Sequence, residues 1–126
     1  MRSWRKVYGN IIVQQIVDKP WGHEIIWAKT EKYIGKILNI KPGEKLSRQF
    51  HENKDETIYV LDGVLILETG QGEEVEKMIM KPGATFHVKP GTIHRFAAPS
   101  DGCRLVEVST PELDDVVRLE DAYGRS

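Results

Sequence analysis

The stretch "LSRQFHENKDETIYVLDG", residues 46–63, sets Gln49, His51, Glu52, Asp55 and Glu56 directly before an apolar run and closes on Asp62 and Gly63. In a β-strand successive side chains alternate faces, so Gln49 and His51 share one face while Leu46, Arg48 and Phe50 share the other. Glu56, Ile58 and Val60 likewise share a face of the following strand, with Glu56 at its mouth. The Asp-Gly pair between "TIYVL" and "VLILE" predicts a hairpin. Polar groups buried at the end of an apolar strand need partners of their own. Residues 46–63 therefore point to β structure and to something that these groups surround.

The same grammar continues outward. Pro, Gly, Asp and Asn punctuate the chain at short intervals in "KPWG" (19–22), "KPGEK" (41–45), "TGQGEE" (69–74), "KPG" (81–83), "KPGT" (89–92) and "PSDG" (99–102). Between them lie runs of strand composition: "IIVQQIV", "EIIWA", "YIGKILNI", "VEKMIM", "TFHV", "IHRFAA" and "RLVEVS". Regular turns between β-branched and aromatic runs predict an all-β sandwich or closed barrel of antiparallel strands. Only "PELDDVVRLEDAYG", with its proline, early acidic residues and apolar repeat, predicts a short C-terminal helix.

Composition bounds the rest. The 126 residues suffice for one domain, 1–126, and one core. Eighteen Lys and Arg against nineteen Asp and Glu leave a net charge of −1, so no basic field favours nucleic acid or an anionic membrane. The single cysteine, Cys103, excludes an internal disulfide and is expected to be a small buried residue in a reducing compartment. Apolar runs such as "VLIL" are too short to span a bilayer. The opening "MRSWRKVYGN" lacks the apolar stretch of a secretion signal, and a cytoplasmic location is expected.

The segment "VKPGTIHRF" delivers His94 just after a Pro-Gly turn, at the start of another strand. Taken singly, each of these polar residues has an ordinary structural explanation. Together, His51, His94, Glu56 and the Gln49 amide form a nitrogen and oxygen set suited to a divalent first-row metal. The spacing is regular: Gly43, five residues, Gln49, one residue, His51, four residues, Glu56, six residues, Gly63, then Gly83 and a "KPGTIH" ending at His94. It resembles the two-part signature of the cupin family, motif 1 at 43–63 and motif 2 at 83–98, with Gln49 in place of the first histidine. Lys89 and Ala98 depart from the proline and asparagine of the second motif. The resemblance implies an antiparallel jelly-roll β-barrel with a metal held by Gln49, His51, Glu56 and His94.

The flanks narrow the resemblance. "KPWG", "GKILNIKPGEKLSRQFH" and "DDVVRLEDAYGR" look like the carboxy-terminal cupin of bifunctional mannose-6-phosphate isomerases and mannose-1-phosphate guanylyltransferases. Too few residues precede "KPWG" for the nucleotidyltransferase part, so a stand-alone cupin without that activity is expected. The resemblance implies conversion of mannose 6-phosphate to fructose 6-phosphate through an enediol. It also implies one divalent ion: zinc first, with cobalt, manganese, nickel or iron as alternatives. Lys36, Lys54 and Arg95 are the cations expected at the phosphate. Lys54, Glu107 and Arg95 are the candidate catalytic groups, with Glu52 and Asp55 as other candidate bases and Glu107 expected inside. Strand parity turns Arg95 away from His94. Lys54 replaces a family arginine and cannot make its planar fork. His23 and His87 fit neither motif and are read as structural or surface residues. Two other functions are consistent with the sequence: a non-catalytic module that binds a sugar phosphate or sugar nucleotide, and a different metalloenzyme such as an oxygenase. A homodimer is expected, with "NIIVQQIV" (10–17) as a candidate edge-pairing segment.

Overall fold

The structure, a computed structural model, describes residues 13–125. It contains β1 (Gln15–Lys19), β2 (Gly22–Lys29), β3 (Ile34–Ile40), β4 (Arg48–Phe50), β5 (Glu56–Gly63), β6 (Leu65–Thr69), β7 (Glu76–Met80), β8 (Thr85–Val88), β9 (His94–Ala97), β10 (Cys103–Ser109) and β11 (Val117–Glu120), with one 3-10 turn at Gly72–Glu74. Two antiparallel sheets result, in the orders β1-β2-β3-β10-β5-β8 and β11-β4-β9-β6-β7.

Among the described residues each strand run read from sequence contains a strand, the first run only from Gln15 onward, and three expectations are corrected. The sheets face one another with free edges, so the described residues make an open jelly-roll-like sandwich rather than a closed barrel. The C-terminal helix is absent. Val117 and Arg118 pair instead with Phe50 and Gln49 at the edge of β4, which satisfies an exposed sheet edge and suits two adjacent β-branched valines. The hairpin at Asp62 and Gly63 is also absent: β5 pairs with β10 and β8, whereas β6 pairs with β7 and β9. Gly63 (φ +73°) turns the chain from one sheet into the other, and a Cβ there would lie 2.3 Å from the Gly102 carbonyl oxygen. Any side chain would force that corner open.

Alternation determines what faces inward. Buried Ile40, Leu38 and Lys36 follow one another along β3, Leu105 and Glu107 along β10, and Val60, Ile58 and Glu56 along β5. Each inner row thus runs from apolar to charged. Leu38 and Val60 flank Leu105 in register, and Lys36 lies opposite Glu107. At the apolar end these residues pack with Leu65, Leu67, Val88 and Phe96 into one core. At the charged end the sandwich opens into a cavity. Cys103 is buried in the core, with its thiol pushed up to about 11 by burial. Of the apolar stretch 10–17, residues 10–12 lie outside the described residues; β1 occupies an edge of the larger sheet.

Candidate metal centre and adjoining cavity

β4 and β9 are neighbours, with Gln49 opposite His94. His51 follows β4 directly, and Glu56 opens β5. His51 Nε2 lies 3.4 Å and His94 Nε2 3.5 Å from the same oxygen, Glu56 Oε1. The two imidazole rings are 5.3 Å apart, and the donor atoms of all three residues lie within 4.8 Å of one another. All three residues are buried.

The other ring nitrogens show which atoms are available. His51 Nδ1 donates to the Asp115 carbonyl at 2.5 Å, and His94 Nδ1 donates to the Thr92 carbonyl at 2.9 Å. A carbonyl can only accept, so both protons sit on Nδ1 and both Nε2 lone pairs point at Glu56. His94 Nε2 is buried without a hydrogen-bond partner. Two neutral imidazole lone pairs beside a carboxylate, with their outer nitrogens anchored on carbonyls, fit a divalent cation. Gln49 lines the cavity beside His51 and Glu56. In the absence of an ion the two imidazoles differ in their tendency to protonate beside Glu56. Burial opposes protonation of His51, but the hydrogen bond and charge of Glu56 overcome it and raise its pKa. Burial prevails at His94 and lowers its pKa.

A cavity of about 270 Å³ adjoins this cluster. Lys54 Nζ lies 3.1 Å from Glu56 Oε2 and 3.4 Å from Glu107 Oε2. Burial disfavours the ammonium, but Glu107 and Glu56 outweigh it and push Lys54 up to about 12. The two carboxylates split. Glu56 resists burial through the His51 hydrogen bond and the Lys54 charge and stays well below the usual carboxylate range. Glu107 is pushed up to about 7 by burial and by the Glu56 charge. One carboxylate holds its charge beside the imidazoles, and the other exchanges a proton near neutrality.

Of the expected site residues, Gln49, His51, Glu56, Lys36, Lys54 and Glu107 line the cavity, and His94 lies buried behind them. Arg95 does not. Its Nε donates to the Leu46 carbonyl at 2.8 Å and its Nη1 lies 3.4 Å from Glu120. Strand alternation turns it to the far face of β9 from His94, away from the cavity in which its catalytic and phosphate roles are expected. Leu46 departs from the parity expected of it, because it precedes β4; it packs in the core and lines the cavity with Gln49. Asp55 turns outward to His87 at 2.6 Å, and Glu52 is exposed, which leaves Glu107 as the base candidate inside the cavity.

Sequence reasoning missed the contribution of the tail. The Asp115 carboxylate accepts the backbone N–H groups of Glu52, Asn53 and Lys54 at 3.0, 2.7 and 2.8 Å while its carbonyl holds His51. Arg118 and Arg125 line the cavity from the same segment. A helical reading of 111–124 hid this; the adjacent valines at 116 and 117 were the available signal for a strand.

The cupin domain family matches residues 36–109. This chain is a cupin. The cupin is 37% identical over 115 residues to mannose-1-phosphate guanylyltransferase ManC of Salmonella typhimurium, which covers 86% of this chain and 23% of that protein. It is 32% identical over 114 residues to xanthan biosynthesis protein XanB of Xanthomonas campestris, covering 87% and 24% respectively. The chain thus spans about a quarter of the length of the curated relatives it matches, in their C-terminal cupin portions. Among solved structures, KdgF from Halomonas sp. superposes with a TM-score of 0.69 at 24% identity over 80% of this chain and 91% of that one. CapF from Staphylococcus aureus gives 0.74 at 15% identity over 90% and 34%. Those two likenesses concern the fold alone. No helix among the described residues is long and apolar enough to cross a membrane.

Proposed function

We propose that this cupin is a metal-dependent sugar-phosphate isomerase that converts mannose 6-phosphate to fructose 6-phosphate. The observation that carries the reading is the convergence of His51, Glu56 and His94 on a cavity that also presents Lys54 and Glu107. The relatives, a mannose-1-phosphate guanylyltransferase and a xanthan biosynthesis protein, support a sugar substrate. The cavity volume, about 270 Å³, lies just below the range of about 300–1,000 Å³ typical of drug-sized ligands. A monosaccharide phosphate suits it better than a sugar nucleotide.

His51, Glu56, His94 and Gln49 would hold the ion. A bound divalent cation supplies Lewis-acid polarisation of the sugar carbonyl and its neighbouring hydroxyl. The chain's own residues then account for the proton traffic. Glu107, as carboxylate, takes the proton from C2 of the open-chain aldose and returns it to C1, while a second proton passes from O2 to O1. No atom is gained or lost, and the aldose becomes the ketose. Lys54, held between Glu56 and Glu107, donates hydrogen bonds to the enediolate oxygens. Incubation of the chain loaded with zinc, cobalt, manganese or nickel should yield fructose 6-phosphate from mannose 6-phosphate, read by carbon NMR. Absence of turnover with every one of these ions would defeat the reading.

A second reading is a cupin that binds a sugar phosphate without converting it. One observation favours it: the Lys54 ammonium is engaged by two carboxylates at once. It predicts a rise in melting temperature with mannose 6-phosphate in the absence of product.

A further inference from the structure

We propose that the outer face of the six-stranded sheet is an interface between two copies of this chain, packed face to face through an apolar row that crosses the sheet.

Strand register builds the row. Across β1-β2-β3-β10-β5-β8, Ile16 pairs with Ile25, Ile25 with Ile37, Ile37 with Val106, Val106 with Tyr59, and Tyr59 with Thr85. Their chain neighbours Ile26, Leu38, Leu105 and Ile58 are buried in the interior, so alternation turns the row outward. Val108 and Leu61 lie two residues from Val106 and Tyr59, on the same face. Trp27 stands out of β2 where the register shifts, and its ring covers Gly35, at which a Cβ would lie 2.5 Å from the ring.

A sheet face left to solvent ordinarily carries polar side chains at these positions. Here Ile16 is 65% exposed, Val108 47% and Tyr59 45%. The outer face of the smaller sheet carries charge instead, through Arg48, Glu68, Arg95 and Glu120. The two outer faces therefore differ in kind, and only the larger one presents an apolar band from strand to strand.

Area and charge select the occupant. Five strand spacings of about 4.8 Å by five residues of about 3.3 Å give a face of roughly 24 by 16 Å, on the order of 400 Å² in plan. An apolar patch of that size marks an interaction site rather than scattered surface residues. With the polar side chains at its margin it approaches the roughly 800 Å² per partner of a standard interface. The margin has the composition of an interface rim, with His23, Asn39 and the Arg104–Asp62 ion pair side by side. The row itself holds no charged residue, so it offers nothing to a partner of one charge sign. Ile37 and Val106 belong to the two central strands. A two-fold axis near them sets the apolar row against its own copy without opposing like charges, and a net charge of −1 per chain adds little repulsion. The same strands carry Lys36, Glu107 and Glu56 on their inner faces, so the second copy backs the cavity wall without entering the cavity. The contact is made by sheet faces, whereas the sequence leads one to expect pairing through the edge segment 10–17.

Sedimentation velocity of the full metal-loaded chain tests this. The wild-type chain should sediment as a dimer at micromolar concentration. Val106→Glu sets a charge in the middle of the row and should raise the dissociation constant by about a hundredfold or more, with the β-sheet circular dichroism retained. If that half-buried change unfolds the chain, Tyr59→Glu, at a more exposed position of the same row, decides alone and should act alike. Ile79→Glu, at a 73% exposed position of the smaller sheet, should leave the dimer intact. A dimer that persists in Tyr59→Glu overturns the proposal and is the result that pairing through the β1 edge gives, since Tyr59 lies four strands from β1. Equal dissociation in Ile79→Glu overturns it as well. A wild-type chain that stays monomeric leaves the face to another occupant and also overturns it.

Discussion

β4 with the residue just after it, and β9, each bring two charged or ligating side chains into opposite environments. On the inner side, His51 and His94 meet at Glu56 beside the cavity. On the other side, Arg48 binds Glu68 at 2.5 Å and the Gly70 carbonyl at 3.1 Å, while Arg95 binds the Leu46 carbonyl and Glu120. Both clusters are ionic and rest on buried side chains of β4 and β9, and they differ in whether they adjoin the cavity. Each arginine already has a carboxylate and a carbonyl, so the outer cluster holds β4, β6, β9 and β11 together. The inner cluster leaves His94 Nε2 without a hydrogen-bond partner, as the outer cluster leaves Arg48 Nε, but only the inner one adjoins the cavity. Burial of charge does not by itself mark a functional site; leftover bonding capacity facing a cavity does.

The largest test of this contrast removes one side chain from each face, His94 on β9 and Arg48 on β4. His94→Ala should reduce bound metal from about one ion per chain to background by elemental analysis, with the β-sheet circular dichroism retained. On the outer face, Arg48→Met should leave metal content intact and destabilise the fold by on the order of 2 kcal/mol, because the partly buried Glu68 loses its charged hydrogen-bond partner; urea unfolding reads this. A loss of metal in Arg48→Met, or its retention in His94→Ala, would collapse the distinction.

A smaller effect sits at the joint between the two regions. The main-chain carbonyl of Asp115 holds His51 and its carboxylate holds the loop that carries Lys54; Asp115→Ala keeps the carbonyl but releases the loop, and should loosen metal binding less than loss of a directly orienting group, by about threefold. A competition titration with a chelating dye measures it. The Asp115 carboxyl lies below its usual range, chiefly through the N–H groups of Asn53 and Lys54. A depressed carboxylate pKa stabilises the fold above the unfolded value near 4 and ceases to do so as pH falls through the folded value. The gap in melting temperature between wild type and Asp115→Ala should therefore be full at pH 7 and should close below about pH 4. A gap that persists at pH 2 would mean that the side chain acts by packing.

The smallest effect concerns Cys103, at the apolar end of the sandwich. Its thiol is pushed up to about 11 by burial, so iodoacetamide at pH 8 should label it only after unfolding. A raised thiol pKa stabilises below the unfolded value near 9 and loses that contribution as pH rises through about 11. Labelling of the native chain at the rate of a free thiol would show that the core is open there.

Much of the fold and of the candidate site was legible in the sequence because it depends on local periodicity. Alternation is a property of the strand itself, so the common face of Gln49 and His51, the inward position of Glu56 and the diversion of Arg95 from His94 follow from parity. The failures were non-local. Asp62 and Gly63 have hairpin chemistry, but β5 and β6 pair elsewhere because Gly63 is a corner between sheets. The tail has helical periodicity, but the open edge of β4 draws it into a strand. Arg95 was assigned a role at the site by its place in a motif, and Glu120, which is distant in sequence, engages it instead.

Turn chemistry, strand parity and the spacing of Gln49, His51, Glu56 and His94 are written in the chain, since each concerns neighbours a few bonds apart. The meeting of Lys19, Glu24 and Lys36, the placing of Glu107 between two lysines and the anchoring of His51 by Asp115 depend on pairing between distant strands. Those contacts are selected by the packing of the whole sandwich, because only burial brings charges separated by many residues close enough, and dry enough, to govern one another's bonding.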